Sequence, residues 1–310
     1  MTDDGPLEAD FFHKAYSPEA NAHGRLLIQG LYPRIDMVRN QVNGPYVAQI
    51  DDRSSLRLDD RYLGAWRGGT LHSQAMTFAL DNLETIKTVI ENGPARLPIV
   101  GLFPLLRAVQ ENSALIIFLI GPRSRDERLT NAYLIAHDDA RLRFEFAQGV
   151  GDSNANVAWD ESRAEILELM AMRPSLQTPD KSFFKRISYT KLIKKADQAL
   201  KDDPAHSSNS EVTLLSWWRI ESGLSHAKQW AMVSILERTA TLVDVDNRSA
   251  HVTLASPPAA VAVALARAVE TLECALRFYG QRSKAPWAQP EDASEPRTSS
   301  HKQLKEDTGN

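Results

Sequence analysis

The sequence predicts an all-α fold, a bundle of about five to seven helices with one β-hairpin inserted before the last helix. Three observations carry this expectation. Apolar residues recur at spacings of three and four through most of residues 71–282, and several of these runs stop at a Gly-Pro pair or a proline. The period changes only between Thr239 and Ala255, where β-branched residues flank Asp246-Asn247-Arg248-Ser249. The 310 residues are 43% hydrophobic and 25% charged, the balance of an ordinary folded chain, so a sizeable core is expected.

The elements follow in order. Residues 1–69 hold short apolar clusters (Phe11, Phe12; Leu26, Leu27, Ile28) among Gly, Pro, Asn and paired acids, and are expected as a partly ordered N-terminal extension. A first helix over 71–92 is read from Met76, Leu80, Leu83, Ile86 and Ile90, and Gly93-Pro94 ends it. The second, over 101–120, is apolar almost all round, which places it at the centre of the bundle. Ser124 followed by Glu127 has capping-box spacing and opens a third helix, running to about 147. A fourth pattern covers 157–173, a basic one 183–200, and a long one 211–237. Ser256 as cap, Pro257 at the first position and Gly280 as terminator frame the last helix. Residues 283–310 keep only Trp287 and Leu304 as large apolar residues, so a disordered tail is expected there.

Charge and cysteine content limit the function classes. A net charge of −4 excludes a globally basic nucleic-acid binder, so any such site is local. The single Cys274 makes no intrachain disulfide and no Cys-rich zinc site, which fits a reducing cytoplasm. The acidic start, MTDDGPLEADFFHK, lacks the pattern of a secretory signal. Val100 to Gly121 approaches the length of a membrane span, but Arg107, Gln110, Glu111 and Asn112 at its centre favour a buried helix and no membrane partner.

The segment WWRIESGLSHAKQW carries the most chemistry. Arg219 and His226 are seven residues apart and share one helical stripe, with Ser222 and Gly223 between them and Glu221 adding an anion beside it. A histidine moves protons near neutral pH, while an arginine stabilises charge on a phosphate. This Arg-x6-His arrangement resembles the motif of HEPN domains, all-helical modules several of which are metal-independent ribonucleases. That resemblance implies a ribonuclease of toxin or phage-defence type acting as a homodimer, with RNA as substrate, an antitoxin as a protein partner and no cofactor. His226 would then be the general acid/base, Arg219 the phosphate stabiliser and Ser222 a secondary polar contact.

Residues 71–282 are also similar to a group of uncharacterised bacterial helical proteins. The features in question are Arg107 and Glu111 on an apolar helix, then Pro122, Arg125 and Arg128, then Trp218, Arg219, Ser222, Gly223 and His226. This resemblance implies the fold and no activity.

An alternative reading needs no catalysis. Glu111 on an apolar helix requires a buried partner, and Arg107, Arg128 and the Arg219–His226 stripe are the candidates for a polar network that fixes helix register. The chain would then be a non-catalytic interaction or oligomerisation protein. Lys185, Arg186, Lys191, Lys194 and Lys195, interleaved with apolar residues, form either a nucleic-acid contact or a solvated face. His137-Asp138, with His72 and Asp244 too far off in sequence to complete the set, gives no metal site.

Overall fold

The computed structural model describes residues 15–66, 68–93, 97–176, 186–203, 213–244 and 249–285. In chain order it contains α1 (Pro18–Asn43), α2 (Pro45–Ala48), α3 (Ser55–Asp60), α4 (Gly68–Asn92), α5 (Leu102–Ile120), α6 (Arg125–Gly149) and α7 (Ala155–Ala171). There follow α8 (Tyr189–Lys201), α9 (Leu214–Ser225), α10 (Gln229–Ile235), β1 (Glu237–Asp244), β2 (Ser249–Ala255) and α11 (Pro258–Ser283). The architecture is mostly helical, with the hairpin before the last helix, but helices outnumber the five to seven expected.

The bundle is organised around α5 and α11. Leu106, Val109, Ile116 and Ile120 of α5 are buried, and the helix packs against α4, α8, α9 and α11. Its 19 residues are apolar and long enough to cross a membrane, yet its neighbours in the bundle cover most of its surface. Helix α11 places Val261, Leu265, Ala268, Leu272 and Leu276 in the same core and packs against α1 as well as α5.

Residues 18–66 belong to this core and are not an appendage. Ile28, Leu31, Ile35 and Val38, spaced three, four and three apart, bury one face of α1. Ser17 caps α1 by accepting from the Ala20 N–H at 3.1 Å, with Pro18 at the first position. A Cβ on Gly24 would lie 2.4 Å from the Ala259 nitrogen, so the absent side chain lets the two backbones touch where α1 crosses the start of α11. Arg34 adds a forked ion pair to Glu273 of α11, at 2.9 and 2.6 Å.

Three boundaries differ from expectation. The pattern over 211–237 is two helices, because the chain leaves the helix at His226 and reverses at Ala227. Pro257, not Ser256, occupies the cap of α11, with Pro258 in the first turn; the Ser256 hydroxyl instead donates to the Ile99 carbonyl. Gly280 does not stop α11, which runs on to Ser283. The hairpin pairs Glu237 with Ala255 and Thr239 with Thr253, with an irregularity between Ala240 and Leu242. The beginning of the basic pattern, 183–185, and the tail from 286 onward lie outside the described residues.

Candidate functional site

The end of α9 sets the geometry. Thr213 caps the helix by accepting from the Ser216 N–H at 3.2 Å, and Leu214, Trp217 and Leu224 turn toward the core. At the other end the His226 N–H reaches the Ser222 carbonyl at 3.2 Å, Ala227 donates to Leu224 at 3.2 Å, and Lys228 donates to Gly223 at 2.8 Å. This is the hydrogen-bond pattern of a Schellman ending, with Ala227 at φ 51° in the left-handed position usually given to glycine. A side chain in that conformation costs about 1 kcal/mol. The reversal folds α10 back onto α9, where Gly223 makes the contact possible: a Cβ there would meet the Ala231 Cβ at 2.6 Å and the Trp230 ring at 2.9 Å.

Arg107 of α5 reaches across to this ending. Its Nη1 lies 3.3 Å from His226 Nε2, and its Nε donates to Glu111 Oε1 at 2.7 Å. The same carboxylate oxygen accepts from Trp218 Nε1 at 2.9 Å, and the Arg107 guanidinium stands 5.7 Å from the Trp218 ring centroid. A guanidinium only donates, so Nε2 of His226 is the acceptor and the ring proton sits on Nδ1. The imidazole is thereby held with a lone pair on Nε2.

Glu221 lies beneath, fully buried, and accepts from Gln110 Nε2 at 2.9 Å. Burial pushes its carboxyl well above the usual carboxylate range; the Gln110 hydrogen bond opposes this, the Glu111 charge adds to it and Arg107 opposes it. Among the described residues Glu221 Oε2 and Gln110 Oε1 have no partner. Burial favours the neutral, protonated form of the Glu221 carboxyl, which keeps its bond from Gln110 Nε2. The anion that the sequence placed beside the Arg219–His226 stripe is thus withdrawn from the surface.

Arg219 and His226 are both exposed, and Ser222 is half-buried. Together with Trp218, Gly223, Lys228 and Trp230 they line a shallow depression of about 300 Å³. Among the described residues no hydrogen bond joins Arg219 to His226; the histidine ring is bonded to Arg107. Among the described residues Arg219 has no hydrogen-bond or ion-pair partner. Tyr189, exposed at the start of α8, has its phenol pushed up by burial and by the charges of Glu111 and Asp138, while Arg107 and Arg186 pull it down, so the basic segment begins beside this face.

Arg128 does not join the network around Glu111. Its Nε and Nη2 donate to Asp59 at 2.6 and 3.2 Å, and its Nη1 to the Pro122 and Arg123 carbonyls at 3.1 and 2.9 Å. Arg125 adds a 2.9 Å bond to Asp59, and Arg282 donates to the Ile120 and Pro122 carbonyls at 3.1 and 2.9 Å. The arginines serve the otherwise unpaired carbonyls at the end of α5. Lys191 stands 5.7 Å from the Phe118 ring centroid, Lys194 is exposed, and Lys195 pairs with Glu127 at 3.4 Å; Lys185 lies outside the described residues.

The remaining groups stay apart. Burial pushes His72 down to about 4, His137 packs edge-on against Trp159, and Asp244 ends β1. Among the described residues no three His, Cys, Asp or Glu side chains gather as metal ligands. Cys274 is buried, with its thiol pushed up to about 12, and lines a groove of about 650 Å³ between α5, α6, α8 and α11, in which Arg277 is paired with Asp203. Gln110, Lys228 and Trp230 were not singled out from the sequence. Gln110 alone had a signal, as a polar residue beside Glu111 on an apolar helix. Comparison with protein-family models, with curated proteins and with solved structures finds no match.

Proposed function

We propose that the chain is a metal-independent endoribonuclease of HEPN-like character, acting at the face formed by Arg107, Arg219 and His226. The observation that carries this reading is the exposed His226, its Nε2 held as an acceptor by Arg107 at the edge of a depression that also presents Arg219 and Lys228. On substrate binding the Arg107 guanidinium turns from Nε2 to the phosphate, and the freed Nε2 lone pair takes the proton of a ribose 2′-hydroxyl as the 2′-oxygen attacks the adjacent phosphorus. The bond from phosphorus to the 5′-oxygen breaks, and that oxygen takes a proton from solvent. A 2′,3′-cyclic phosphate and a 5′-hydroxyl result. Arg219 and Arg107 offset the charge that develops on the phosphoryl oxygens. Recognition by an antitoxin and assembly into a homodimer belong to the same reading.

The test is purified protein with mixed-sequence RNA in the presence of a chelator, followed by end analysis of the products. H226A should lower the rate by about 10²-fold or more while the fold persists. Because His226 is exposed, its removal should change stability by no more than about 0.5 kcal/mol. Absence of cleavage by the wild-type protein, or an unchanged rate in H226A, refutes the enzyme reading.

One observation favours a second, non-catalytic reading for part of the constellation. Glu111 and Glu221 tie α5 to α9 through Trp218 and Gln110, as a register-fixing network would. On that reading alone, R107M destabilises by stranding Glu111, and there is no activity to lose.

A further inference from the structure

Trp230 is 53% exposed yet held in place from behind. Its ring lies over Gly223, where a Cβ would come within 2.9 Å of it, so the backbone of α9 serves as its backing. The left-handed Ala227 fixes the turn that puts it there. Single exposed apolar residues are common on protein surfaces and need no explanation by themselves. The surroundings of this ring differ from that case: Arg219, Lys228 and His226 share its depression, and among the described residues no carboxylate lines it. The nearby acids are withdrawn, Glu111 into its bonds with Arg107 and Trp218, and Glu221 into the core.

An indole face backed by α9 and flanked by cations, with no carboxylate in its lining among the described residues, suits one kind of ligand. An unpaired nucleobase stacks on the ring while its neighbouring phosphates meet Arg219 and Lys228. A base inside a duplex cannot present its face. We infer that Trp230 is a base platform that makes this site select single-stranded over double-stranded RNA. This rests on the ribonuclease reading for the choice of RNA, and the indole itself acts as a positioning residue.

Binding is measured by fluorescence anisotropy with a labelled ten-nucleotide single strand, as RNA and as DNA, and with a duplex RNA of the same length, for wild type, W230F and W230A. Melting curves check that both variants fold. The single strands should bind the wild type more tightly than the duplex does, W230A should weaken single-strand binding about tenfold with little effect on the duplex, and W230F should retain most of the affinity. The DNA strand lacks the 2′-hydroxyl and cannot be cut by the proposed route. Stacking on uncut DNA together with intact RNA after incubation supports the platform while overturning the ribonuclease. Cleavage that continues in W230A with unchanged affinity overturns the platform alone. Equal loss of single-strand and duplex binding, or a change in sedimentation of W230A with no change in nucleic-acid binding, also overturns it, the latter by assigning the ring to a contact between copies.

Discussion

Replacing Asp59 by alanine should be among the most damaging polar substitutions in the molecule. Its carboxylate is 9% exposed and the Arg128 side chain opposite it 5%, so the pair is shielded from water and from salt. Three guanidinium bonds converge on Asp59, two from Arg128 and one from Arg125. Without it Arg128 retains, among the described residues, the Pro122 and Arg123 carbonyls alone, with Arg282, a further cation, close by. Stranding a buried charge in this way costs about 3–5 kcal/mol. At roughly 2 °C per kcal/mol for a chain of this size, the midpoint of a calorimetric melt should fall by about 6–10 °C. The double variant D59A/R128M should recover part of that loss, because no charge is left unpaired. The loss should persist when salt is raised from low to high concentration. A D59A melt within about 1 °C of wild type would refute the reasoning, as would a double variant that loses the sum of the two single effects.

Further outcomes follow from the same contacts. Glu221 has a folded pKa above its ordinary value, so its favourable contribution is fully present below about 4.5 and is lost as pH rises toward the folded value, the unfolded chain releasing its proton first. E221Q keeps the shape and an acceptor for Gln110 Nε2 and removes this titration, so the melting temperature of E221Q minus that of wild type should grow between pH 5 and pH 8; a shrinking difference would mean that the buried group is ionised. G223A gains about 1 kcal/mol of helix propensity but forces the Ala231 and Trp230 contacts apart at an overpacking cost of about 1–3 kcal/mol. Net destabilisation and faster tryptic cleavage at Lys228 are expected, and a more stable G223A would show that α10 yields freely. A227G relieves the left-handed strain and should stabilise by a few tenths to about 1 kcal/mol in chemical denaturation, and a destabilised A227G would contradict the assigned turn.

Local patterns made much of the fold legible, and long-range contacts account for the rest. The stripes of α4, α5 and α11 could be read because their buried residues recur at helical spacing over five or more turns. Ile28, Leu31, Ile35 and Val38 carry the same signal in α1, but Gly24, Gly30, Pro33 and the outward Leu26, Leu27 and Met37 blur it. The break after α9 has no sequence mark, since the left-handed residue is an alanine and the cause is the packing of α10 on Gly223. Glu111 needed a cation, and Arg107, which pairs with it, is its i−4 neighbour, a relation local enough to read. The approach of Arg107 to His226, 119 residues away, and of Arg128 to Asp59, 69 away, depends on how helices cross and has no local sign.

Arg107 projects from α5, the helix with the deepest packing in the molecule, whereas Trp230 and Lys228 belong to or adjoin the seven-residue α10. The two sides of the depression therefore differ in the opening reactions available to them. Opening the α5 backbone at Arg107 requires the core to come apart, so the amides of residues 107–111 should exchange with solvent deuterium at the rate of global unfolding. Those of residues 229–235 can exchange through a local excursion of α10 alone. The face is built with one fixed jaw and one that can lift, and whatever enters it would do so from the α10 side.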